Sequence, residues 1–179
     1  MSTSHRLAGT VAVFGALLVT PPLITHSVAL PTPKAIMTCR ESGTVSWAAP
    51  GIGNEPATVK WNAEIDFTGC TGPAVDEKRP TPVHVSESGT EFVSCDGDVS
   101  VHTGAGKVTW SDRSTSEVSA GVNVQSKSAG RGHGAFPITI RTGNYANHTA
   151  TDDDTVAAAS GQSCPGLTEA ALTGTLSIF

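Results

Sequence analysis

Apolar residues occupy every second position in one stretch of the chain, "TVKWNAEIDFTGC" at 58–70. The apolar members of the stretch, which polar residues separate, are Val59, Trp61, Ala63, Ile65 and Phe67. This spacing indicates a β-strand with one buried and one solvated face, because successive side chains of a strand point to opposite sides. The pattern stops at Gly69 and Cys70 follows. The strand therefore ends on a residue that can form a covalent crosslink.

Short alternations of the same kind follow along most of the chain. They lie in "GTVSW" (43–47), "PVHV" (82–85), "KVTW" (107–110), "EVSAGVNV" (117–124), "FPITI" (136–140) and "ALTGTLSIF" (171–179). Glycine-containing segments such as "ESGT" (87–90) and "TGAG" (103–106) are interpreted as the turns between strands. About eight or nine short, one-sided strands indicate an antiparallel sandwich or a small barrel, and we expect the all-β antiparallel β-sandwich. A parallel β/α fold is excluded, because no segment has the period of a crossover helix.

The first 29 residues have the pattern of a secretory signal peptide. A weakly basic start precedes an apolar run over 7–20, and the small residues Ser27 and Ala29 precede a cleavage site. A membrane-spanning helix needs about 20 apolar residues, and this run is shorter and ends in two prolines. We expect removal of 1–29 and release of 30–179 as one secreted domain without a membrane association.

Four cysteines, all within 30–179, indicate two disulfides in an exported chain, although four cysteines allow three pairings. Strand order favours Cys39–Cys70 and Cys95–Cys164, because Cys39 precedes the first strand and Cys70 follows its antiparallel neighbour. This pairing requires an irregular backbone at Gly69 to turn Cys70 inward. A zinc site is disfavoured, since the chain has no Cys-x-x-Cys pair and no histidine close to a cysteine. We expect no cofactor.

Several motifs in this chain resemble a group of small exported proteins from streptomycete-type actinobacteria. They are a cysteine before "GTVSW", then "FTGC", then "GKVTW" followed by Ser, and the terminal "CPGLTEAALTGTLSIF". The likeness covers most of residues 36–179. It implies an immunoglobulin-like or related β-sandwich. The group has no assigned activity, so the resemblance implies no functional residues.

The charge pattern excludes two classes of partner. The formal net charge is −5, and the basic residues are scattered singly apart from Lys78–Arg79. Nucleic acids and anionic membranes both require a clustered cationic surface. We therefore expect neither as a partner of the exported chain.

No catalytic motif stands out in the sequence. G-x-S-x-G, H-E-x-x-H and phosphate-binding glycine loops are all absent. His84 and His102 are expected on the solvated faces of their strands. These observations favour a non-catalytic extracellular module that binds a surface glycan, a protein or its own copies. A secreted hydrolase whose site is dispersed in sequence is the alternative, and the sequence does not decide whether the protein is an enzyme.

Two segments are weak candidates for binding. Asp152, Asp153 and Asp154 in "TDDDT" carry the hard oxygen ligands that Ca²⁺ prefers, although a solvated acidic loop is the simpler interpretation. Tyr145 lies between Asn144 and Asn147 in the other segment and is expected to be an exposed aromatic of a ligand-binding loop. The three tryptophans fall on the apolar positions of their strands, so core packing is expected for Trp47, Trp61 and Trp110.

Overall fold

The computed structural model describes residues 33–96, 99, 101–121, 124–128 and 131–179, with 124–128 described by backbone alone. Its elements are β1 Met37–Trp47, β2 Ala57–Thr71, α1 Pro73–Asp76, β3 Pro82–Val93, β4 Val101–Trp110, β5 Thr115–Ala120, β6 Val124–Ser128, β7 Arg131–Ile140, β8 Thr149–Ala158 and β9 Glu169–Ile178. The expected signal peptide, 1–29, lies outside the described residues. Within the part described, no helix is long and apolar enough to cross a membrane.

Eight of the strands close into an antiparallel β-barrel. They pair in the order β5-β4-β3-β2-β1-β9-β8-β7. The barrel closes where β5 pairs with β7, with Val118 opposite Ile140 and Ala120 opposite Ile138. β6 pairs with the first half of β7. The all-β prediction is therefore confirmed, whereas the expected sandwich is wrong, and with it the immunoglobulin-like arrangement.

Two glycine-containing segments explain why the barrel forms instead. "ESGT" and "TGAG", which the sequence indicated as turns, lie inside β3 and β4 and pair with each other, with Gly89 opposite Gly104. As a result β3 has 12 residues and β4 has 10. Glycine lets a long strand bend and coil, so that one sheet curls until its edges meet and does not divide into two layers.

The stretch at 58–70 folds largely as its alternation predicts. In β2 the buried side chains are Trp61, Ala63, Ile65 and Phe67, whereas Val59 is only partly buried. Gly69 has a φ of 59°, and the ladder with β1 changes register here, so that β2 carries one extra residue before Thr71. This irregularity brings Cys70 to Cys39, and the two form a disulfide with Cα atoms 4.0 Å apart.

The two ends of the barrel differ in packing. At one end, the closed end, Met37, Trp110 and Ile178 are at most 2% exposed, and Ala74 of α1 is buried as well. The other end carries the loops that follow β1, β3 and β8, and we name it the open end. The contacts that join these loops include the Cys95–Cys164 disulfide and the bridge between Ile52 and Leu167. The barrel is therefore a cup with a packed base and a crosslinked rim.

Candidate ligand-binding cavity

The barrel contains a cavity of about 620 Å³ that reaches the open end. Its apolar wall includes Trp47, Trp61, Phe136 and Leu172, and Cys164 lies at its rim. Sites for small organic molecules typically measure about 300–1,000 Å³ and combine apolar walls with a few polar groups. Both the size and the wall of this cavity fit that description.

Carboxyl groups converge on the interior from opposite walls. We name them the acidic cluster: Glu41 on β1, Glu87 and Glu91 on β3, and Asp152 and Asp154 on β8. All except Glu41 line the cavity. Three strands separate β3 from β8 in either direction around the barrel, so their inward side chains face each other across its interior.

Glycines make room for two of these carboxyls. Gly174 lies opposite Glu41 on one side and Asp154 on the other, and a β-carbon at this glycine would come within 2.3 Å of Glu41 Oε1. A β-carbon at Gly106 would come within 2.4 Å of Glu87 Cγ. The sequence therefore places the smallest residue where each long acidic side chain enters the interior.

Glu91 is held by defined contacts. Trp47 Nε1 donates a hydrogen bond of 2.7 Å to its Oε1, and His102 Nδ1 lies 3.3 Å from its Oε2. The His102 ring stacks on Trp61 at 4.8 Å and meets the edge of Phe136 at 4.6 Å. The expectation of a solvated His102 is wrong, since it is 6% exposed. Because β4 runs unbroken through "TGAG", His102 faces the same side as the buried residues at the end of that strand.

Other polar atoms in the interior have no hydrogen-bond partner. They are both carboxyl oxygens of Glu41, one oxygen each of Asp152 and Asp154, and Trp61 Nε1. Glu41 and Asp154 are each only 4% exposed. An unsatisfied buried polar group destabilises a protein by about 1–3 kcal/mol. Those on Trp61, Asp152 and Asp154, which line the cavity, are available to a molecule that enters it.

Burial raises the pKa values of the cluster. Desolvation, followed by the neighbouring Asp152 carboxyl, raises the pKa of Glu41 to about 11. The same two causes raise the pKa of Asp154 to about 8 and that of Glu87 to about 7. Burial also raises the pKa of Asp152. Near neutral pH several of these carboxyls hold protons, which a cation in the cavity would displace.

The run of three aspartates lies in a strand and not in the solvated acidic loop. Asp152 and Asp154 face the interior, while Asp153 is exposed and lies 3.0 Å from His133 Nε2. β8 thus divides the three candidate calcium ligands between two faces. In the part of the chain that the structure describes, no set of three or more His, Cys, Asp or Glu side chains is placed to hold a metal ion.

The loop around Tyr145 lies at the closed end, away from the cavity. Tyr145 is 5% exposed and packs on Trp110 with ring centres 5.0 Å apart, and its hydroxyl donates to the Pro80 carbonyl. The expected exposed aromatic is therefore wrong, because the ring fills the base of the barrel. Asn144 donates a 2.8 Å hydrogen bond to Ser114, and Asn147 is exposed.

The sequence interpretation missed the acidic cluster, although the alternation of the strands contains a signal for it. Glu87 and Glu91 share their parity with the buried Val85 and Val93. Asp154 shares its parity with the buried Ala150. Charged residues at the apolar positions of several strands are what a polar barrel interior requires.

No protein-family model, curated protein or solved structure matches the chain. A function is therefore inferred from the cavity itself.

Proposed function

We propose that the protein is a secreted, non-catalytic binding module that holds a small, largely apolar molecule inside its barrel. The observation that carries this proposal is the cavity of about 620 Å³ with an aromatic and aliphatic wall. We place the ligand in the interior, and not on the outer surface as expected for a glycan or protein partner, because the unpartnered polar atoms lie there.

The physical case rests on apolar burial in a cavity that exists before binding. A ligand that covers Trp61, Phe136 and Leu172 removes apolar surface from water, at about 25 cal/mol per Å². The Cys95–Cys164 disulfide joins two loops of the rim, so little conformational freedom is lost when a ligand enters.

Export is the second part of the proposal. Two disulfides are typical of an oxidising, extracellular compartment. We expect the mature chain to start near Leu30 and to lack four hydrogens, as two disulfides require. An intact-mass measurement of the secreted protein tests both points, and a mature chain that retains residues 7–20 would contradict the assignment of the signal peptide.

Binding of a neutral, environment-sensitive dye tests the interior site. We expect Nile red fluorescence to rise on addition of the disulfide-intact protein. Ala158 lines the cavity, so Ala158→Phe should fill part of it and weaken binding. The control is Ala171 on β9, which pairs with Ala157 of β8 and is exposed. The variant Ala171→Phe should therefore bind the dye like the wild type. No binding by the wild type, or equal binding by a folded Ala158→Phe variant, would contradict an interior site.

One observation supports a hydrolase as the second candidate. A carboxyl with a pKa near the working pH is suited to general acid catalysis, and burial raises the pKa of Glu87 to about 7. A screen on peptide, ester and glycan substrates separates the two candidates. The binding module predicts no turnover, whereas turnover that Glu87→Gln abolishes would establish the hydrolase.

A further inference from the structure

We propose that the ligand carries a protonated amine, which the acidic cluster binds inside the barrel while the apolar part of the ligand contacts the aromatic wall. This inference rests on the proposed function, because it defines the chemical class of ligand for the same cavity.

Acidic groups far outnumber basic groups around the described part of the cavity. Among the described residues, the titratable groups that face or border it are Glu41 on β1, Glu87 and Glu91 on β3, His102 on β4, Arg131 on β7, Asp152 and Asp154 on β8, and Asp96 in the loop after β3. Described residues of β2, β5 and β9 add none. Arg131 is exposed, and His102 already contacts Glu91. Among the described residues, the buried carboxyls across the interior therefore lack a basic group that could pair with them.

Four of the five unpartnered atoms named above are carboxyl oxygens, and they indicate the sign of the missing group. Asp154 lines the cavity, is 4% exposed and has an Oδ1 without a hydrogen-bond partner. Asp152, on the same strand, also lines the cavity and has an Oδ1 without a partner. An ammonium group offers three donors and no acceptor, so it can satisfy several carboxylate oxygens at once. An anionic ligand would instead be repelled.

The cavity wall determines what the rest of the ligand is. Trp61 and Phe136 present aromatic surface to the cavity, and Ile138 and Leu172 add aliphatic surface. An apolar body fits this wall, and a cation close to a tryptophan face gains a further attraction. A fully hydrated polyamine or a sugar would leave most of this wall uncovered. The fitting class is therefore an amphipathic amine with one compact apolar part.

Amine binding should involve the release of protons. Burial raises the pKa of Asp154 to about 8 and that of Glu87 to about 7, so both groups hold protons in mildly acidic solution. An ammonium group favours their ionised forms, and the displaced protons pass to solvent. Amine affinity should therefore rise between pH 5 and pH 8, while the affinity for a neutral analogue stays nearly constant.

Three probes with the same rigid body test the head group. They are 1-adamantanemethylamine, 1-adamantanemethanol and 1-adamantanecarboxylate, titrated calorimetrically into the full disulfide-intact protein at pH 5 and pH 7.5. The amine stays protonated at both pH values. We expect it to bind about tenfold or more tightly than the alcohol at pH 7.5, and the carboxylate to bind most weakly. The preference for the amine should shrink at pH 5.

Neighbouring residues of β8 supply the matched variants. Asp154→Asn should remove most of the preference for the amine over the alcohol. Asp153→Asn, one residue away on the outer face, should leave it intact. If Asp154→Asn does not fold, Glu87→Gln on the opposite wall serves as the second variant with the same expected loss.

Each outcome of these titrations decides the inference. Equal binding of amine and alcohol, tighter binding of the carboxylate, or an equal effect of Asp153→Asn would overturn the amine assignment while a neutral ligand in the cavity stays supported. Binding of none of the three probes would also overturn it, and the Nile red measurement then decides the interior site separately.

Discussion

Replacing Glu41 by glutamine should change how the stability of the protein depends on pH. Burial, followed by the neighbouring Asp152 carboxyl, raises the pKa of Glu41 from 4.5 to about 11. An acid whose pKa is higher in the folded than in the unfolded state loses its proton on unfolding at any pH between the two values. Its contribution to stability is complete below pH 4.5 and is lost progressively as the pH rises toward 11.

The size of the effect follows from that proton. Within this window one group lowers the free energy of unfolding by about 1.4 kcal/mol per pH unit, hence by about 3 kcal/mol between pH 5.5 and pH 7.5. Glutamine has the shape of the protonated glutamate and does not ionise. The stability of Glu41→Gln relative to the wild type should therefore increase by about this amount over the two pH units. Any constant offset from the amide itself cancels in this comparison.

Urea unfolding of the disulfide-intact proteins at pH 5.5, 6.5 and 7.5 measures this difference. Both proteins should lose stability as pH rises, because the raised pKa values of Glu87 and Asp154 act in the same direction. Glu169 is exposed at the start of β9, so Glu169→Gln should follow the wild type at every pH. A stability difference between Glu41→Gln and the wild type that does not vary with pH would refute the argument, as would an equal response of Glu169→Gln.

Three further predictions concern the packing of the barrel and are tested by chemical or thermal denaturation. Trp61→Ala should destabilise the protein by about 3–5 kcal/mol, as large-to-small core changes do, whereas Lys60→Ala on the solvated face should have almost no effect; equal effects would contradict the inward orientation. Gly174→Ala should destabilise the protein by about 1–3 kcal/mol, because the new methyl group would lie 2.3 Å from Glu41 Oε1 and 2.4 Å from the Asp153 carbonyl oxygen. An unchanged stability would contradict the argument that this glycine is needed to make room for Glu41. Replacing both cysteines of the Cys39–Cys70 pair by serine should lower the free energy of unfolding by up to about 3.7 kcal/mol on the chain-entropy model. Nile red binding should stay unchanged, since neither residue lines the cavity. Weakened dye binding by the folded variant would show that this disulfide also shapes the binding site.

Local features of the fold were predictable where the alternation is unbroken. β2 has no glycine between Ala57 and Thr68, so its two faces can be assigned without knowing its neighbours. The disulfide partners could be favoured from strand order, and Cys39–Cys70 and Cys95–Cys164 are the pairs found. The irregular backbone at Gly69 was predictable as well, because parity alone would have turned Cys70 outward.

Barrel closure was not predictable in the same way. Alternation shows which face of a strand is buried, and it does not show whether that face packs against a second sheet or against the far wall of the same sheet. The decisive pairing, β5 with β7, joins residues such as Ala120 and Ile138 that would also be buried in a sandwich. The glycines of β3 and β4 also favoured turns at positions where the strands in fact continue. Gly104, for example, makes room for the Trp61 ring, which a β-carbon there would approach within 2.5 Å.

The acidic cluster was missed for a related reason. A carboxyl on a one-sided strand is usually solvated, so Asp154 was assigned to a solvated acidic loop, and nothing in the alternation singled out Glu41 or Glu91. Only the closed barrel brings them together, because they lie on β1, β3 and β8. Their shared parity with buried neighbours carries information only once the strands are known to run through the glycine-containing segments.

The positions of the disulfides fit a protein whose interior is kept for a ligand. Cys39–Cys70 lies toward the closed end and Cys95–Cys164 at the rim, so the central part of the barrel contains no crosslink. Buried carboxyls without partners destabilise the empty barrel, and apolar side chains in their place would pack better. Disulfides act mainly by restricting the unfolded chain, and they therefore stabilise the fold without occupying the cavity. A barrel that gained its stability by filling its core would have no room for a ligand, whereas one held at its base and rim can keep polar groups inside that lack partners until a ligand binds.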